Sequence, residues 1–118
     1  MTQEDFAAFR QRRKEENDRV LATDNLLIKR FFNMDSAVYR DGLLPRNTKE
    51  LLGLVASMVL RCNDCIDYHL EQCVAAGFSL EELEEAMSVS LVVGGSIVIP
   101  HLRHARTSLE HLYAEAKG

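Results

Sequence analysis

From Val98 onward, apolar residues return every three or four positions: Val98, Leu102, Ala105, Leu109, Leu112 and Ala116. That is the period of an α-helix with one buried face. Similar spacing recurs upstream, and no stretch alternates apolar and polar residues with period two. The chain is therefore expected to be all-α, with about six helices and no sheet. At 118 residues, 47% of them hydrophobic and only two of them proline, it fits one packed domain.

Local signals divide the chain. Thr2 and Asp5 can open a first helix, whose polar middle leaves only Phe6, Phe9, Val20 and Leu21 as anchors, so residues 1–23 are expected to form a peripheral arm. A second helix is expected from Asp24, with Leu27, Phe31, Met34 and Val38 as one buried stripe, stopped at Asp41-Gly42. Pro45 and Asn47 precede a third helix that is apolar on most sides, and so either central or packed on another subunit. Cys62-Asn63-Asp64-Cys65 resembles the start of a fourth, ending at Gly77. Ser79 and Glu82 form a capping box for a fifth, interrupted by Gly94-Gly95, and Pro100 belongs in the first turn or at a kink of the last.

Charge and hydropathy exclude several roles. A net charge of −4 provides no field for nucleic acid, and the basic run from Arg10 to Arg19 is interleaved with Glu15, Glu16 and Asp18, as on a solvated helix face. The longest apolar run, Leu91 to Ile99, is too short for a membrane span. The polar start of the chain lacks a charged-then-apolar leader pattern, so a cytoplasmic location is expected. Three cysteines in a reducing compartment argue against a disulfide framework and toward catalysis, metal binding or burial.

Two thiols spaced C-x-x-C come within bonding reach when the first stands at a helix start, where the helix dipole favours the thiolate. Cys62 and Cys65 have this spacing, and His69 follows one turn after Cys65. A neutral imidazole there can accept the thiol proton, and a protonated one stabilises the thiolate. Cys62, Cys65, His69 and Cys73 share an arc of roughly 80° on a helix. Cys73 reads as core. The same four residues are also zinc-type ligands, but one straight helix cannot wrap a tetrahedral ion. Glu50 stands where a capping box opened by Asn47 would place a glutamate. On an uninterrupted helix it would lie about 18 Å from Cys62, so a shared site requires the chain to fold back between Arg61 and Asp64. His101, His104 and His111 read as surface or interface histidines, with no carboxylate or cysteine nearby in sequence to complete a metal set.

Lys49-Glu50, eleven residues, Cys62-x-x-Cys65-x-x-x-His69, then Ala75-Ala76-Gly77-Phe78-Ser79 and Glu81-Glu82 together resemble the carboxymuconolactone decarboxylase family. The thiol-bearing branch, similar to alkyl hydroperoxidase D proteins, carries this spacing, and the likeness extends from about Asp35 to Ala105. The resemblance implies an oligomeric all-α fold, trimeric or hexameric. It also implies a redox-active Cys62–Cys65 disulfide with no other cofactor and no metal. Cys65 would be the attacking thiol, Cys62 the resolving one, and His69 and Glu50 a proton relay. A peroxide or disulfide would be the substrate and a dithiol the reductant. One departure is Asp64, where alkyl hydroperoxidase D proteins often carry histidine before the second cysteine. An anion there raises a thiol pKa, which weighs against peroxide attack more than against dithiol exchange. The alternatives are a lactone decarboxylase that does not use the cysteine pair, and a non-enzymatic zinc-binding or structural oligomer.

Overall fold

The computed structural model describes residues 5–117, and all of its regular structure is helical. Six α-helices follow one another: α1 (Phe6–Leu21), α2 (Leu26–Val38), α3 (Arg46–Val59), α4 (Asn63–Ala75), α5 (Leu80–Gly94) and α6 (Ile99–Lys117), with a single 3-10 turn, Ser96–Val98, before the last. No helix among the described residues is long and apolar enough to cross a membrane. The chain divides between Asp41 and Gly42 into two compact units.

In the first unit, Asp5 caps α1 by accepting the Ala8 N–H at 2.8 Å, and Asn25 caps α2 by accepting the Leu27 and Ile28 N–H groups. Phe6 and Phe9 are buried and meet edge to face, whereas Val20 and Leu21 are exposed. The stripe expected to bury α2 does not. Leu27, Phe31, Met34 and Val38 are each more than half exposed, and α2 contributes no buried residue. Apolar periodicity specifies a face, but not that the same chain covers it.

The second unit holds the site. α3 packs on α4 and α5, and α4 packs on α6. Leu54 and Met58 of α3, Ile66 and Leu70 of α4, Leu83 and Met87 of α5, and Leu109 of α6 are almost wholly removed from water. Four of the six residues in the periodic stripe of α6 lie inside as expected: Val98, Ala105, Leu109 and Leu112. The Ser79–Glu82 capping box forms in both directions, and Pro100 sits in the first turn of α6, where its missing N–H leaves no helical bond unmade.

Two helix ends close with the same bonds. After α3, the Arg61 N–H donates to Met58 O and the Cys62 N–H to Ser57 O; after α4, the Gly77 N–H donates to Val74 O and the Phe78 N–H to Cys73 O. This double closure needs a left-handed residue just past the cap, which is usually glycine. Gly77 supplies it at φ 97°, but at the end of α3 the residue is Arg61, at φ 61°. The chain reverses there, so α3 and α4 run side by side.

Candidate active site at the start of helix α4

Cys62 is the N-cap of α4, and its sulfur accepts the Cys65 N–H at 3.2 Å. The two cysteines form a disulfide, with their Cα atoms 5.3 Å apart. Asn63 and Asp64, the residues between them, are exposed, as is Cys65, while Cys62 is partly covered. Cys65 is therefore an exposed residue at a helix N-terminus, where unpaired N–H groups favour negative charge.

The reversal at Arg61 brings Glu50 to His69. Glu50 Oε2 lies 2.8 Å from His69 Nδ1, and both residues are buried. The capping account of Glu50 does not hold. α3 begins at Arg46 after Pro45, which makes no side-chain cap bond, so Glu50 is the fifth helical residue and Asn47 is not a cap. Glu50 Oε1 has no hydrogen-bond partner among the described residues, and the nearest cation, Arg46 Nε, is 3.9 Å away.

Cys73 is fully buried, and burial, reinforced by the Glu50 charge, pushes its thiol up to about 12. It is core, as expected, and inert at neutral pH. Among the described residues no group of three or more His, Cys, Asp or Glu is arranged to hold a metal ion. The four zinc-type ligands of α4 do not converge.

Residue spacing missed a second polar cluster. His104 Nε2 lies 3.0 and 2.9 Å from the two carboxylate oxygens of Asp67, and Ser108 Oγ donates to Asp67 Oδ1 at 2.6 Å. His101 Nδ1 lies 2.7 Å from Asn63 Oδ1. His101 and His104 are thus bonded partners of α4 and not merely surface groups, whereas the buried Nδ1 of His111 has no hydrogen-bond partner among the described residues. Their partners are 37 and 38 residues away in sequence, so only tertiary packing reveals them. The one sequence signal is that Asn63 and Asp67, four apart on α4, can face His101 and His104, three apart on α6.

The site and fold have counterparts among known proteins. A solved carboxymuconolactone decarboxylase family protein from Thermotoga maritima is 58% identical over 95% of this chain and 98% of that one, with a TM-score of 0.92. A second structure of the Thermotoga protein, with a TM-score of 0.89, is described with a suggested role in antioxidative response. A Legionella pneumophila protein of the same family shares the fold at 22% identity, covering 91% of this chain and 96% of its own, with a TM-score of 0.81. An uncharacterised Cupriavidus necator protein is 29% identical over 55% of this chain, which spans 58% of that relative's length. The model of the carboxymuconolactone decarboxylase family matches residues 26–107, taking in Glu50, both paired cysteines and His69, and the chain belongs to that family.

Proposed function

We propose that the chain is a thiol-dependent oxidoreductase that reduces a hydroperoxide or a disulfide through Cys65 and Cys62. The observation that carries this reading is the pairing of a disulfide at the N-terminus of α4 with a buried contact between Glu50 of α3 and His69, one turn beyond Cys65 on α4. The suggested antioxidative role of the Thermotoga protein supports it.

In the reduced state, the Cys65 thiol loses its proton toward His69, whose ring is oriented by Glu50. The thiolate attacks the distal peroxide oxygen, the O–O bond breaks, and the departing alkoxide takes a proton to leave as alcohol, with Cys65 as sulfenic acid. The Cys62 sulfur then displaces hydroxide, released as water, and closes the disulfide. An external dithiol restores both thiols by exchange and is itself oxidised to a disulfide. With a disulfide substrate, Cys65 attacks sulfur directly and Cys62 resolves the mixed disulfide.

The test is hydroperoxide consumption with dihydrolipoamide as reductant. The wild-type chain should turn over, and Cys65→Ser should lose at least about 100-fold. Turnover that survives Cys65→Ser would exclude the mechanism. If a muconolactone substrate were decarboxylated equally well by the Cys62→Ser/Cys65→Ser chain, the decarboxylase branch would replace it. The enzyme is further proposed to act as a homo-oligomer. Phe31 and Met34 on α2, and separately Leu60, Val92 and Val93 in the second unit, expose apolar surface of the kind that second copies cover. Light scattering should give a trimer or hexamer.

A further inference from the structure

Asp67 is a buried acid for which the thiol chemistry above has no use. It is 7% exposed, on the turn that follows Cys65. Its carboxylate accepts from Ser108 Oγ, and His104 Nε2 sits almost equidistant from its two oxygens, where an N–H donor to an ionised carboxylate belongs. Ser108 gives its hydroxyl proton to the acid in a hydrogen bond of 2.6 Å. Both donors come from α6, and both stabilise negative charge on Asp67.

The Asp67 Cα stands two residues beyond that of Cys65, ~5.4 Å away on an α-helix, and the two side chains leave the helix on different faces. The charge therefore acts on the thiol through the helix end and not by contact. It lies in a poorly solvated interface, where charges are screened less than in water. We infer that Asp67 is a tuning residue for the cysteine pair: its fixed negative charge opposes the helix N-terminus and holds back ionisation of the Cys65 thiol.

The other groups around this turn are few. Asp64 is exposed between the cysteines and adds to the same effect, and Arg61 precedes them. His69 brings Glu50 from α3, and His101 on α6 is bonded to Asn63. Asp67 differs from Asp64 in being desolvated and fixed, so its influence does not fade into solvent. A thiol restrained in this way ionises closer to neutrality, where thiol–disulfide exchange is fastest. The inference rests on the thiol reading and deepens it, favouring disulfide over peroxide as the substrate class.

The experiment follows iodoacetamide alkylation of Cys65 against pH in the fully reduced chain, resolved by peptide mass spectrometry. Cys73 does not interfere, because its thiol titrates far higher. In Asp67→Asn the alkylation midpoint should fall by about one pH unit, raising the rate well below the midpoint about tenfold. Ser108→Ala and His104→Gln keep the carboxylate, so their midpoints should hold or rise. His104→Arg fixes a cation on Asp67 and should lower the midpoint, which keeps the sign testable if Asp67→Asn does not fold. An unmoved midpoint in Asp67→Asn, or shifts of one sign in all four variants, would overturn the inference and leave the thiol mechanism standing. Wild-type Cys65 alkylating no faster than free cysteine would overturn both.

Discussion

Glu50 and Asp67 are both buried carboxylates in contact with an imidazole, one reaching α4 from α3 and the other reaching from α4 to α6, but they are bonded differently. Asp67 has a hydroxyl and a ring nitrogen on its two oxygens. Glu50 has a ring nitrogen on one oxygen and, among the described residues, no hydrogen bond on the other, beside which Arg46 Nε stands at 3.9 Å. A carboxylate bonded to other side chains through both oxygens is held in one place. In the mechanism and inference proposed above, the same pair of residue types serves two ends, Glu50 as a proton carrier on the α3 side of α4 and Asp67 as a fixed charge on its α6 side.

The largest expected separation between the two is in turnover. Glu50→Gln should cost the thiol reaction about 100-fold, in the usual range for losing a general acid–base group, while Asp67→Asn should change it less than about tenfold. Steady-state assays with peroxide and with a disulfide substrate measure both, and equal losses would erase the distinction. Stability should rank them the other way. Asp67→Ala strands Ser108 and His104 and should cost about 3 kcal/mol in urea unfolding, whereas Glu50→Gln should stay within about 1 kcal/mol. A greater loss at Glu50 would show that its bare oxygen is structural.

Cys73 sharpens the contrast, because burial first, and then the Glu50 charge, raises its thiol from 9.0 to about 12. The native thiol thus keeps its proton where the unfolded one has lost it. Its contribution to stability is complete below about pH 9 and is lost as the pH rises toward about 12. Unfolding midpoints should fall across that window in the wild type and fall less in Cys73→Ala. The smallest effect concerns the reversal that lets Glu50 reach His69 at all. Arg61→Gly should raise stability by about 1 kcal/mol, since glycine adopts a positive φ without the steric cost an L side chain incurs. A destabilised Arg61→Gly would mean that the arginine side chain contributes more than its backbone costs.

Much of the site was legible in the chain because its decisive spacings are local. Cys62 at a helix start, Cys65 three residues on and His69 one turn later require only helical geometry, and the structure places Cys62 as the N-cap. Glu50 was legible only through family likeness plus a reversal that no glycine announces, since Arg61 adopts the left-handed conformation instead. Asp67 with His104 and Ser108 was not legible, because its two halves lie 37 and 41 residues apart. The α2 stripe failed for a different reason. Leu27 and Phe31 carry the right period, but period does not say which surface, or whose, will cover them.

Cys62 occupies an unusual joint between two helices. Its backbone N–H closes the end of α3 on Ser57 O, and its sulfur opens α4 by accepting the Cys65 N–H. A change in the charge of that one sulfur would act directly on the Cys65 amide that opens α4. If the pair cycles as proposed, oxidation state becomes a mechanical variable, and hydrogen–deuterium exchange at the Cys65 amide should differ between the oxidised and the reduced chain with no substrate present.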